Sequence, residues 1–335
     1  MWALKNQTPY AAERNWTRDK HGVHWWLVAV KATFDIAPDG QLTLADEQLP
    51  PVLAPEYLGE PGRSSLRSDS ELLAEKPLTD ILVHACAYAP GGKPVPTVPV
   101  SLRVDRLHKD LLVHGDRTYE NGLLGVAPTR PRPFTTRPIR YESAFGGSDL
   151  SGDLQQQSMD ARNPIGRGFA RRAAHLVGRP AHSIEYPRGA PSERGPAGFG
   201  PIDSSWMPRR KLAGTYDARW AQSKKPLLPD DHDAAFALSA PTDQRTQMPL
   251  LGGEHVELLN MTPKGVLRFK LPRISLGFTT RILARRQLHA ARLVTVLMEL
   301  EAWRLSLVWQ SVLRVPSPEA DYLDETTIIE DGGVR

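Results

Sequence analysis

Towards both ends of the chain apolar positions recur every second residue or crowd into short β-branched runs, and that order is lost across residues 146–241. The run HWWLVAVKATFDI, residues 24–36, is aromatic and β-branched and too short to cross a bilayer, so it predicts a strand. A turn at Pro38, Asp39 and Gly40 leads into QLTLAD, which makes the pair a hairpin with Leu42 and Leu44 on one face. LTDILVHACAYA supplies another strand, with Asp80 near its start. After the turn Pro90-Gly91-Gly92, VPVSLRVDRLHKDLLVHGDR keeps period two in two runs that part near residues 107–109, which predicts a second hairpin. VELLNMTPKGVLRFKLP turns back through Pro263, Lys264 and Gly265, with Leu267, Phe269 and Leu271 alternating against Arg268 and Lys270. The last apolar stretch, RLVTVLMELEAWRLSLVWQSVLRV, holds Leu, Met and Glu, which favour helix. It nonetheless reads as two strands pairing near residues 301–303, with Leu305, Leu307 and Trp309 on one side.

Other stretches lack such a pattern. Residues up to His21 are polar and irregular, and residues 61–76, rich in Ser, Arg and Glu, read as a loop or a short helix. In the Gly-, Pro- and Arg-rich middle, disorder competes with order. Phe169, Tyr186, Phe199, Trp206, Tyr216, Trp220 and Phe236 are buried-type anchors that disordered chains usually lack, so an ordered wrap around a β core is expected. Residues 214–222 predict a short helix that ends before Pro226. With 30 prolines and 26 glycines, turns and irregular connections dominate over helical bundling. The expected fold is mainly β, with β-sandwich-like sheets, long irregular loops and a few short helices. One domain over residues 1–335 is expected, with an N-terminal β region at 23–141, an irregular wrap at 142–241, a C-terminal β region at 256–315 and a mobile acidic tail at 316–335. The two β regions are expected to supply sheets that pack together.

Charge adds little to this picture. Forty-two basic against 38 acidic residues leave +4, too balanced to imply nucleic-acid binding, although basic clusters at 130–140, 167–172 and 209–211 could meet phosphate or an acidic protein face. The single cysteine, Cys86, rules out an internal disulfide framework and reads as a buried structural thiol. His84, His108 and His114 share no ligand spacing, and Asp230, Asp231, His232 and Asp233 read as a turn or helix start, so no metal or cofactor is expected. No basic start precedes an apolar leader and no apolar run reaches membrane length, so a soluble, intracellular protein is expected.

Residues 141–169 join YESAFGG to NPIGRGF through an acidic, Gln-rich insert. Gly146, Gly147, Gly166 and Gly168 can adopt positive φ, Pro164 fixes its own φ and pushes Asn163 away from helix, and Glu142, Phe145 and Phe169 complete a structural signature. Arg167, Arg171 and Arg172 are not needed for a turn, which makes them candidates for contact with a partner. The groups available for acid-base work are Glu142, Asp217, Asp231 and His232.

KPLTDILVHACAYAPGG, VHGDR, IRYESAFGG, NPIGRGF, PAGFGPI, AGTYDARW, APTDQ and LGGEHVELLNM follow one another in an order that resembles one family, the effector adaptors, or chaperones, of bacterial type VI secretion. The resemblance spans about residues 25–315. It implies a protein of the bacterial cytoplasm that binds a cognate secreted effector before export. It also implies help in loading that effector on the spike, a valine-glycine-repeat trimer with a proline-alanine-alanine-arginine-repeat tip. No catalytic residues, cofactor, membrane or nucleic-acid partner come with it. Two positions depart from the pattern: Val294 stands where a late motif has Asp, and Gln310 follows Trp309 in place of Arg. Beside the adaptor reading stand a hydrolase-like enzyme and a nucleic-acid binder using the Arg-rich middle.

Overall fold

In the computed structural model, which describes residues 2–330 apart from 124, 154 and 156, the alternating runs become strands around one shared apolar core. In chain order the main strands are β1 (Ala3–Asn6), β2 (Ala11–Arg18), β3 (His24–Ile36), β4 (Leu42–Leu44), β5 (Asp80–His84), β6 (Thr97–Val104) and β7 (Leu107–His114). They continue with β8 (Ile184–Glu185), β9 (His255–Leu259), β10 (Val266–Lys270), β11 (Leu276–Ile282), β12 (Arg285–Glu299), β13 (Arg304–Val315) and β14 (Leu323–Glu330). The protein is mainly β, and its helices are few and short. Each expected hairpin forms: β3 with β4, β6 with β7, β9 with β10, and β12 with β13.

The assembly of those hairpins differs from the expectation of one sheet region at each end. The larger sheet runs β1-β14-β11-β12-β13-β3-β2, with β4 on β3 and β5 parallel to β12, and the smaller runs β8-β7-β6-β9-β10. Both sheets therefore mix early and late strands. A hairpin is closed by a local turn, whereas its lateral neighbour is chosen by which apolar faces can be buried together.

Residues before His21 are not irregular, because β1 and β2 form the two ends of the larger sheet. The Trp2 and Trp16 rings stack at 5.4 Å, with Trp26 tilted against Trp16 at 6.1 Å, and this packing nearly closes the sheet on itself. Nor is the acidic segment after residue 316 a featureless tail. Its β14 lies between β1 and β11, burying Leu323, Thr326 and Ile328, while the rest of the expected tail, 331–335, lies outside the described residues. The run LTDILVHACAYA is broken at Ala85. Its first half joins the larger sheet, and Cys86–Tyr88 pairs with Thr136–Pro138.

The centre of β3 is apolar on both faces because both are covered. Trp26, Val28 and Val30 face the core shared with the smaller sheet, while Leu27 and Ala29 pack with Leu72, Val294 and Val308 under residues 48–76. That cover is fastened by Lys31 to Glu71 at 3.1 Å, with both side chains only 3% exposed, and by Gln48 bonding both main-chain groups of Thr33. The middle segment is likewise pinned: Phe199 and Trp206 are buried, and Trp206 meets the Tyr141 ring edge-on at 5.6 Å. The short helix begins later than expected, at Ala218–Ser223, where the Asp217 carboxylate caps it by accepting from Trp220 N–H at 2.8 Å.

Candidate partner-binding site

The signature at 141–169 is a backbone knot centred on Asn163. This residue is fully buried; its Nδ2 donates to the carbonyls of Tyr141 and Phe145 at 2.9 and 3.0 Å, and its own carbonyl accepts from Gly147 N–H at 2.7 Å. Phe145–Gly146 pairs in parallel with Arg167–Gly168, and Phe169 N–H returns to the Gly146 carbonyl. Gly166 is set by close approach, since a Cβ there would lie 2.3 Å from Asn163 Nδ2. Gly168, at φ +100°, leaves room for the Tyr119 hydroxyl and His182 Nδ1, which would stand 2.4 and 2.8 Å from its Cβ. Behind them His182 and Arg117 bind Glu185; burial opposes its ionisation, but the His114 ring 3.6 Å away and the hydrogen bonds from His182 and Arg117 hold its carboxyl well below the usual range. Pro164 contributes its carbonyl to Ser148 Oγ at 3.4 Å, and Glu142 accepts from Ser65 N–H at 2.9 Å and from the Ser65 hydroxyl.

A groove of about 560 Å³ opens elsewhere, on the outer face of the larger sheet. Its floor is Trp25, Leu27 and Val312 of β3 and β13, and Leu73, Tyr216 and Phe236 wall it. Leu73 and Tyr216 are 61% and 52% exposed, so apolar surface is continuous with solvent there. The walls are fixed in place. Asp19 accepts from Trp25 Nε1 at 3.1 Å, and despite its partial burial this bond and those from the Val23 and His21 amides hold its carboxyl below the ordinary range. Lys20 Nζ donates to the carbonyls of Asp230 and His232 at 2.9 and 3.1 Å, tying the β2–β3 turn to the middle segment. Arg209 is buried, pairs with Asp69 and lies over the Phe236 ring at 5.3 Å. Arg18 stands exposed on the rim.

A family model described as an uncharacterised protein conserved in bacteria (DUF2169) matches residues 21–310. The chain belongs to this bacterial family. No curated protein and no solved structure matches it. The DUF2169 span contains the knot and most of the groove lining. Both departures noted in the sequence support the cover over β3. Val294 sits in the apolar cluster with Leu72, and Gln310 accepts from Lys76 N–H at 2.9 Å and donates to the Glu71 carbonyl at 2.7 Å.

The acid-base candidates are separately engaged. Besides Glu142 at Ser65 and Asp217 at its helix, Asp231 accepts from Thr215 N–H and Oγ1 at 2.9 and 2.7 Å, bonds that lower its carboxyl. His232 lines the groove, with Nδ1 3.1 Å from the Ala213 carbonyl. Among the described residues no group of three or more His, Cys, Asp and Glu is placed to hold a metal. Cys86 is buried, and burial followed by its bond to Glu301 pushes the thiol up to about 12. Of the three arginines, Arg167 is half-buried in its strand pair, while Arg171 and Arg172 are exposed on the turn before Ala173–Leu176. The groove was missed in the sequence because its walls come from residues about 20, 70, 215 and 235, none of which shows a periodic pattern. Among the described residues no helix is long and apolar enough to cross a membrane.

Proposed function

We propose that this DUF2169 protein is a non-enzymatic adaptor of the bacterial cytoplasm that binds a type VI secretion effector and promotes its loading on the spike. The reading rests on the ordered motifs of the chain, and the observation that carries it is the groove. A fixed aromatic and aliphatic trough with exposed Leu73 and Tyr216 suits a buried anchor of a protein partner. The partner is an effector encoded nearby, held without chemical change until it meets the valine-glycine-repeat trimer or its tip.

Co-purification with that effector tests the reading, with Leu73→Glu and Tyr216→Ala as variants at exposed positions. Capture by the natural protein and at least about tenfold weaker capture by the variants, at unchanged melting temperature, is the expected result. A chemically altered effector, with the alteration lost in His232→Ala, would replace the adaptor by an enzyme.

A further inference from the structure

The floor of the groove offers a partner no main-chain hydrogen bonds. Trp25 and Leu27 of β3 are flanked by Thr17 and Asn15 of β2 on one side and by Arg314 and Val312 of β13 on the other, so both edges of the strand are already paired. An extended segment laid there would leave its own amides and carbonyls unsatisfied where the walls shut out water, whereas a helix brings its main-chain bonds with it. The charge left free around the groove is of one sign. Each of the three carboxylates in its lining is engaged within the chain: Asp19 with Trp25 Nε1 at 3.1 Å, Asp69 with Arg209, and Glu75 with Arg292. Arg18 lines the mouth and Arg314 lies opposite Trp25 in the strand register; both are exposed, and neither side chain has a partner among the described residues. The apolar floor also continues past the groove. Period two carries the outer face of β12 from Arg292, opposite Gln310, to Ala290 and Leu288, and Leu288 is 83% exposed. Ser311 Oγ donates to the Ala290 carbonyl at 2.8 Å, which keeps that stretch beside β13 next to Val312.

We propose that the groove docks an acidic amphipathic helix of the partner, its apolar stripe laid from Leu73 and Tyr216 over Val312 towards Leu288 and its carboxylates met by Arg18 and Arg314. This rests on the adaptor reading and supplies the chemistry of what the groove receives. Guanidinium forks match carboxylates in a bidentate way, and these two are not committed within the chain. A basic helix would find every carboxylate of the lining already engaged and would bring its own charges against Arg18 and Arg314.

The test is the anisotropy of a fluorescein-labelled peptide of about 15 residues, Leu at every third or fourth position with Glu and Ala between, titrated with the full chain. Binding is expected, at least about tenfold tighter than that of the same peptide with Lys for Glu or with a central Pro. Leu73→Glu and the double variant Arg18→Glu/Arg314→Glu should each weaken it about tenfold or more. The double variant should instead gain binding of the Lys peptide, a change that mere loss of folding could not produce, and Lys264→Glu, on a turn of the smaller sheet, should alter neither. No binding of the Glu peptide, equal or tighter binding of the Lys or Pro peptide, or an unchanged preference in the double variant overturns the acidic helix. Effector capture that is lost in Leu73→Glu and survives the double variant also overturns it and leaves the adaptor reading standing. Peptide binding as described, with no effector captured, supports the helix site and strikes the adaptor reading alone.

Discussion

Asn163 can hold its knot because an amide nitrogen offers two donors at one branch point, and its Nδ2 serves the carbonyls of Tyr141 and Phe145 at once. The glycines around it differ in what they resist. Gly168 combines positive φ with contacts under 3 Å to Tyr119 and His182, whereas Gly91, at φ +62°, would point a Cβ into open space. Gly168→Ala should therefore cost about 3 kcal/mol, backbone strain plus a steric clash, and Gly91→Ala about 1 kcal/mol from the backbone alone, as read by urea unfolding. Similar losses in both would mean that the packing behind Gly168 gives way easily. At this scale the sequence was partly legible. The glycines and Pro164 mark a turn, but nothing in one sequence says that Asn163 is its hub or that Gly168 makes room for Tyr119, 49 positions away.

Among elements, the larger sheet contains a hydrogen-bond chain whose direction can be worked out. The Ser311 hydroxyl donates to the Ala290 carbonyl at 2.8 Å, so its oxygen accepts from His289 Nδ1–H at 2.6 Å. His289 Nε2 is then the acceptor for Thr280 at 2.8 Å, Thr280 accepts from Thr326 at 2.7 Å, and Thr326 accepts from Trp26 Nε1–H at 2.8 Å. Neighbouring strands β3, β13, β12, β11 and β14 are linked in this way, and protonating His289 would set two donors against each other at Thr280. Burial lowers the imidazole from 6.5 to about 4. Between those values the unfolded chain binds a proton that the folded one refuses. Stability from His289 is thus full above pH 6.5 and is lost as pH falls towards 4, at about 1.4 kcal/mol per unit. His289→Gln should flatten that part of the pH profile, measured by urea unfolding at several pH values, and an unchanged slope would assign the loss to carboxylates. The sequence pattern placed Trp26 and Ser311 on strands but not Thr280, His289 or Thr326, and their convergence needed the sheet order, which no hairpin encodes.

For the whole molecule, the near closure of the larger sheet depends on β1, β2 and β14, all contributed by segments with weak apolar patterns. Removing residues 316–335 would unpair β1 and β11 and uncover Phe278, Trp26 and Thr280. Such a chain should be recovered mostly as aggregate, with any soluble fraction melting well below the full chain in a thermal scan, although the family match ends at residue 310. An undiminished melting temperature would show that β14 is an accessory. What the sequence determined alone is what local physics controls: strands where apolar residues alternate, hairpins where Pro-Asp-Gly or Pro-Lys-Gly turns join them, and a mainly β class. Trp206 and Phe199 also signalled that the middle segment is anchored, because such rings are costly to leave in water. Tertiary structure alone decided that early and late hairpins interleave, that the acidic 323–330 segment is an inner strand, and that Arg137 pairs with Asp116. Those outcomes depend on contacts between residues far apart in the chain, where the burial of two faces together, rather than any one segment's preference, selects the neighbour.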